Sequence, residues 1–283
     1  MTKPTRLRRL RAIPVKAILK LDRPGGRTLL GLLITLSVVA TNRELKSVRW
    51  SWRRGAWISR FREGRVIDAR RWDTWQQWAT YGGGYDMDEL LFRHYRPNAG
   101  DVVVDVGAGD GGETFALARL VGSSGQVWSF EAAPTTFARL KALCQLNGWK
   151  HVHPIEAAVT DRPGTVMISD NESWETNNIY EPGEIAVRGI TLDDACRERG
   201  IDHIDWLKMN IEGAEKDAVR GMEQMAPHIR NVTIACHDFL GTDWGRSKVQ
   251  VIHWLAAHGF TVQERGDLDE DPALGDYVYG WRT

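Results

Sequence analysis

From residue 101 onward, short β-branched runs alternate with stretches of helical periodicity. Val102–Val106 predicts a strand, and Phe115, Leu117, Ala118, Leu120 and Val121 predict a helix from about Glu113. Gln126–Phe130 predicts a second strand and Pro134–Asn147 a helix, with Pro134 acceptable in the first turn. Val152–Ile155 and Thr165–Ser169 read as short strands, and Asp170–Gly189 as a polar irregular loop long enough to meet a substrate. Thr191–Arg199 predicts a helix capped by Thr191. Trp206–Ile211 predicts a strand that turns into a helix reaching about Met222. Val232–Cys236 follows as a strand, Lys248–His258 as a helix, and Phe260–Glu264 and Tyr277–Trp281 as two final strands. Such alternation predicts a mostly parallel sheet with helices on both faces.

The first 80 residues follow a different pattern. Thr28–Ala40 is a continuous apolar run of 13 residues, short of the roughly 20 that a bilayer span needs. It predicts either a buried helix or a helix lying in a membrane interface. Arg49–Trp78 holds six of the chain's 13 tryptophans, interleaved with arginines. Within it, Trp57–Arg62 and Arg65–Ala69 read as strands, and Trp72, Trp75 and Trp78 fall on one helical face. Gly82–Gly84 interrupts the chain, and Asp86–Tyr95 predicts a helix. The expected division is therefore a basic extension or lid over residues 1–80 and a main domain over 81–283.

Charge sharpens that division. The net charge is zero, yet residues 1–71 carry 19 Lys/Arg against 4 Asp/Glu, which leaves 18 against 33 for the rest. The first quarter either packs on the protein's own acidic body or meets an anionic surface. Tryptophan with arginine suits sugar stacking, a membrane interface or single-stranded nucleic acid. The apolar fraction of 42% and charged fraction of 26% are those of a globular chain. Cys144, Cys196 and Cys236 are odd in number and widely spaced, which argues against a disulfide framework or a paired-cysteine zinc site. The expected setting is the reducing cytoplasm, with peripheral attachment to a membrane.

The candidate chemistry begins at Val102–Thr114, where a strand ending in Asp105 runs into Gly107, Gly109 and Gly111 before a helix. Glycines allow a sharp turn and close ligand approach, and amides at a helix start are donors for polar ligand atoms. Glu131, at the end of the second strand, stands where a nucleotide-binding α/β unit places its ribose-binding acid. Walker A spacing is absent, and although Gly112 completes a bare dinucleotide pattern, Asp105 suits an α-amino group better than a pyrophosphate.

Acid-x-Gly-x-Gly-x-Gly at 105–111 followed by an acid at 131 resembles the class I S-adenosylmethionine-dependent methyltransferases. Val102–Ala108, Ala157–Val159 with Asp161 and Gly164, Ile190–Asp194, and Ile204–Glu215 (Ile-Asp-Trp-Leu-Lys-Met-Asn-Ile-Glu-Gly-Ala-Glu) narrow it to the FkbM family of methyltransferases, over roughly residues 80–283. The resemblance implies an α/β Rossmann-like fold, a seven-stranded sheet with an antiparallel last strand. It implies S-adenosylmethionine as methyl donor and O-methylation of a hydroxyl on a saccharide, glycolipid or glycosylated natural product. It places Asp105, Gly107, Ala108, Gly109 and Thr114 beside the amino acid part of the cofactor, Glu131 and Ala132 at the ribose, and Glu156 and Ala157 at the adenine edge.

The groups expected to handle the acceptor lie at the carboxyl ends of two strands: Lys208, Asn210 and Glu212 after one, His237 and Asp238 after the next. His237 is the first candidate for the base that removes the hydroxyl proton. Asn210 stands where the family has Asp, which puts in doubt any mechanism needing a carboxylate there. Asn210, Glu212, His237 and Asp238 are also candidate ligands for a magnesium ion, since hard cations favour oxygen. The alternatives are an RNA methyltransferase, disfavoured by the absence of an Asn-Pro-Pro-Tyr-type signature, and a non-catalytic cofactor-binding or membrane-scaffold protein.

Overall fold

A computed structural model describes residues 22–39, 45–68, 87–168, 183, 185–266 and 272–282. The chain divides into two compact units, Met1–Thr74 and Trp75–Thr283. The Trp72/Trp75/Trp78 face, the Gly82–Gly84 break and most of the loop expected after residue 170 lie outside the described residues.

In the first unit, helix α1 (Arg27–Val39) packs on an antiparallel sheet of β1 (Leu45–Ser51), β2 (Ala56–Phe61) and β3 (Arg65–Asp68). β2 is buried at every position but Arg60, with Trp57 fully enclosed. The β1 strand is not apparent from its sequence. Its register shifts between Leu45 and Ser47, which breaks the two-residue alternation that a regular strand would display. The apolar run is only half buried. Leu30 and Ile34 face the sheet, whereas Leu29, Leu32 and Leu36 are 51%, 56% and 64% exposed.

The second unit carries a seven-stranded sheet in the order β12-β13-β11-β10-β4-β5-β6. Its strands are β4 (Val102–Val106), β5 (Gln126–Glu131), β6 (Val152–Glu156), β10 (Ile204–Met209), β11 (Ile229–Ala235), β12 (Thr261–Glu264) and β13 (Tyr277–Trp281). β4, β5, β6, β10 and β11 run parallel, while β13 is antiparallel to both β11 and β12. β10 is buried along its whole length, as befits a central parallel strand. Helices α3 (Gly112–Val121), α4 (Pro134–Asn147), α5 (Leu192–Arg199), α6 (Glu215–Arg220) and α7 (Lys248–Ala257) connect the strands, following a short α2 (Met87–Leu90).

Three elements differ from expectation. The helix expected over Asp86–Tyr95 is the short α2, because Tyr279 Oη donates to the Leu90 carbonyl (2.8 Å) and Thr233 Oγ1 to that of Leu91 (2.9 Å). Those carbonyls serve the sheet instead of another helical turn. The end of the expected polar loop is a strand, β9 (Ile185–Ile190), antiparallel to β8 (Gly164–Ile168) and parallel to β7 (Ala158–Val159). Gly189 masks its alternation, and a Cβ there would lie 2.8 Å from Val166 Cγ2. Finally, β10 ends at Met209 and α6 starts only at Glu215. Between them Glu212 takes φ 53° and Gly213 φ 97°, reversing the chain.

Candidate active site

A pocket open to solvent lies at the carboxyl ends of β4, β5 and β10. In a doubly wound sheet this is where the strand order reverses and ligands bind. Gly107, Gly109, Glu131, Ala132, Ala157, Asn210 and Glu212 line it, so the expected cofactor and acceptor groups converge on one cavity. Phe130, Val159, Ile168 and Ile211 add an apolar wall to which the sequence reading gave no site role. Their signal was only that they lie near strand ends, with Val159 and Ile211 inside the quoted motifs.

The glycine turn is built by close approach. A Cβ on Gly107 would fall 1.8 Å from the Asn210 carbonyl oxygen, and its φ of 79° is itself unfavourable to side chains. Its amides are not the free donors that the sequence suggests. Gly107 N and Ala108 N donate to the Phe130 carbonyl at 3.0 and 2.9 Å, and Gly111 N donates to that of Ala108. Gly109 N donates to Glu131 Oε2 at 2.9 Å, and Ala133 N to Glu131 Oε1 at 2.8 Å. A carboxylate has about four acceptor positions, so two remain for a ligand's hydroxyls. Burial pushes the Glu131 carboxyl up to about 7, against the opposite pull of the two amides and Lys208.

Beneath the turn lies a buried charge cluster. Asp105 is fully enclosed, and Lys208 is 2% exposed. Lys208 Nζ sits 3.1 Å from Asp105 Oδ1 and 2.6 Å from Glu113 Oε2, and it donates to the Gly107 carbonyl at 2.8 Å. Thr114 Oγ1 donates to Asp105 Oδ2 at 2.8 Å. Asp105, Ala108, Thr114 and Lys208 therefore support the turn from below and do not line the pocket. Burial alone would lower the Lys208 ammonium, but Asp105 and Glu113 outweigh it and hold it above the usual lysine range. Lys208 is an anchoring cation, not a base. Glu156, at the end of β6, is exposed and also lies off the pocket wall.

On the acceptor side, Asn210 Oδ1 is buried with no hydrogen-bond partner in the protein. Such an atom costs free energy unless a donor reaches it. Glu212 borders the same cavity, its Oε2 3.4 Å from His237 Nε2. The other His237 nitrogen, Nδ1, lies 2.9 Å from Glu215 Oε1. Glu215 is fully buried and accepts from Ile211 N (3.1 Å), Gly213 N (3.3 Å) and Ser247 Oγ (3.0 Å). Burial would lower the His237 pKa, but Glu215 and Glu212 together raise it to about 10. The first candidate for the base is thus a cation at neutral pH, clamped between two carboxylates and off the pocket wall.

Two of the four expected magnesium ligands are otherwise engaged, His237 between Glu212 and Glu215 and Asp238 at a helix start. Asp238 Oδ2 accepts from Ser247 N and Lys248 N, both at 2.9 Å, and so caps α7. Among the described residues no group of three or more His, Cys, Asp or Glu side chains is placed to hold a metal ion.

Comparison with known proteins agrees with this geometry. A family model, the methyltransferase FkbM domain, matches residues 105–262. The chain is 30% identical over 218 residues to the 31-O-demethyl-FK506 methyltransferase FkbM of Streptomyces tacrolimicus, covering 64% of this chain and 80% of that protein. It is 27% identical over 140 residues to the 2-O-methyltransferase NoeI of Sinorhizobium fredii, covering 42% of this chain and 56% of that protein. The chain therefore spans little more than half of NoeI. Among solved structures it is similar to a methyltransferase FkbM from Methylobacillus flagellatus, at 17% identity and a TM-score of 0.49, over 70% of this chain and 48% of that one. With the family model matching more than half of its 283 residues, on the strands that form the pocket, the chain belongs to the FkbM family of methyltransferases.

Proposed function

We propose that the protein is an S-adenosylmethionine-dependent O-methyltransferase acting on a hydroxyl of a saccharide, glycolipid or glycosylated natural product. One observation carries the reading: a ribose-type carboxylate, Glu131, and the side-chain amide residue Asn210, whose buried Oδ1 has no hydrogen-bond partner, border one cavity across the Gly107 turn. The residues fit the cofactor. Glu131 retains acceptor positions for two ribose hydroxyls, Ala132 and Ala157 leave room for a flat ring, and Gly107 and Gly109 keep the floor free of side chains. Bound there, S-adenosylmethionine would supply a methyl group made electrophilic by its sulfonium sulfur.

The chain's own residues would then orient the acceptor and receive its proton. Asn210 orients the acceptor through a hydroxyl beside the reacting one, whose own proton is left for Glu212. Glu212 is the carboxylate on the pocket wall, and it replaces His237 as our candidate for the proton acceptor. His237 is a positioning residue that holds Glu212 from one side while Glu215 holds His237 from the other. An Asn at 210 suits this division, because the base is then two residues further on. The names of NoeI and the FK506 enzyme both specify oxygen methylation, which supports a hydroxyl acceptor. The strongly basic first quarter supports peripheral attachment to an anionic membrane, where a glycolipid would be met.

The test is calorimetry with S-adenosylmethionine and S-adenosylhomocysteine, followed by transfer of labelled methyl to saccharide, glycolipid and RNA panels. Binding lost in Glu131→Gln, with label appearing in saccharide or glycolipid, is the expected result. No cofactor binding, or label entering RNA alone, would sink the proposal.

A further inference from the structure

We propose that the outward face of α1, formed by Leu29, Leu32 and Leu36, is a docking surface for the headgroup region of an anionic bilayer. The rotation of the helix is fixed by its inner face. A Cβ on Gly31 would lie 2.9 Å from the Val48 carbonyl oxygen, so helix and strand backbones are in close approach there. One turn on, Thr35 Oγ1 accepts from Val48 N at 2.9 Å and sits 2.7 Å from the Gly31 carbonyl. At the start of the helix Arg27 Nε donates to Asp22 Oδ1 at 2.8 Å, and its guanidinium lies 3.6 Å over the Trp50 ring. Asp22 also accepts from Trp57 Nε1. Leu30 and Ile34 are thereby directed into the sheet.

Helical spacing then places Leu29, Leu32 and Leu36 on the opposite side, each more than half exposed. A surface helix ordinarily carries polar residues there. This one has no charged residue from Thr28 to Val39. A bilayer fits this surface better than a protein groove does, on three grounds. Thirteen residues make a helix of about 20 Å, too short to span a hydrocarbon core of roughly 30 Å. No helix among the described residues is long and apolar enough to cross. A helix of this length lies in the interface plane instead. The surrounding surface is cationic: the described residues up to Asp68 carry nine Lys/Arg and three Asp/Glu, with Arg23, Arg49, Arg53 and Arg54 exposed. Trp52 is 61% exposed on the same unit, and tryptophan favours the headgroup level.

The experiment is flotation of the full chain with vesicles of phosphatidylcholine containing about 30% phosphatidylglycerol, a typical anionic surface. Wild type should float, and Leu29→Gln/Leu32→Gln/Leu36→Gln should partition at least about tenfold less, since each leucine loses its apolar burial. The substituted positions are exposed and Gln is a good helix former, so thermal melting should be little changed. A second probe does not depend on that triple variant. Leu32→Cys can be labelled selectively with a polarity-sensitive dye, because Cys144, Cys196 and Cys236 are buried. Its emission should shift to the blue on adding vesicles. Equal flotation of wild type and triple variant, no flotation of wild type, or an unshifted label would overturn the proposal. So would a wild-type dimer in light scattering that the triple variant abolishes, which would assign the stripe to self-association.

Discussion

Cofactor affinity should depend on pH through Glu131. Its carboxylate accepts Gly109 N and Ala133 N and, under the proposed function, takes the ribose hydroxyls, yet burial raises its pKa to about 7. If only the ionised form receives two hydroxyl donors, the apparent Kd grows as the proton competes. For a pKa of about 7 the dissociation constant should be about twice its plateau at pH 7 and about elevenfold weaker at pH 6. Above pH 8 it should be flat. His237, with a pKa of about 10, stays cationic across this window and does not confuse the reading. Glu131→Gln is the companion perturbation. Its amide can accept from one of the two backbone donors but presents N–H to the other, and it loses charge-assisted bonds to the ribose. Those losses amount to about 1.5–3 kcal/mol, or roughly 10- to 150-fold in Kd. Calorimetry with S-adenosylhomocysteine from pH 5.5 to 8.5 reads both effects. The variant should bind weakly with no slope between pH 6 and 8. A wild-type Kd that is constant from pH 6 to 8, or a variant that keeps wild-type affinity, would refute the reasoning. The ligand-free protein supplies an independent sign. The unfolded carboxyl titrates near its ordinary value, so between there and pH 7 the folded state binds the extra proton, and stability should decline as pH rises across that interval.

Three further outcomes are expected. Gly107→Ala should lose more than about 2 kcal/mol in urea denaturation, because its Cβ would overlap the Asn210 carbonyl and its φ is positive; unchanged stability would contradict the close approach. Lys208→Met removes the cation between Asp105 and Glu113 and should cost about 3–5 kcal/mol in urea denaturation. His237→Gln should flatten the alkaline limb of the stability profile. In the wild type the imidazolium's contribution is complete below about pH 6.5 and lost as pH rises through about 10, so a variant with the same alkaline slope would show that Glu215 and Glu212 do not hold it.

The main domain was legible because its signals are local. Val102–Val106, the glycines and Glu131 each announce their element within ten or so residues, and the mostly parallel sheet follows from alternation. What could not be read depends on partners remote in sequence. Nothing near Lys208 shows that its ammonium ends under the carbonyl of Gly107, 101 positions earlier. His237 has the ordinary pKa of a base until Glu215 and Glu212 flank it. Asp238 looks like a metal ligand until Ser247 and Lys248 offer their amides. The end of β10 was misplaced by two residues for a related reason. Glu215 bonds back to Ile211 N and Gly213 N, which stabilises a turn where the apolar pattern suggests more strand. In the first unit, β1 escaped notice through its bulge, and the apolar run of α1 gave no indication of which leucines face outward.

Asn210 has a divided character with a consequence for how such an enzyme can diversify. Its main chain is fixed from both sides, the N–H donating to the Val106 carbonyl at 3.0 Å and the carbonyl pressed against Gly107. The residue lines the cavity, and its buried side-chain oxygen has no hydrogen-bond partner. Under the proposed function, exchange at this position would alter what the acceptor meets without displacing the Gly107 turn proposed to hold the methyl donor. Acceptor chemistry and donor geometry can therefore vary separately at a single residue, and a substitution such as Asn210→Asp should change which hydroxyl is handled while leaving the donor's affinity nearly constant.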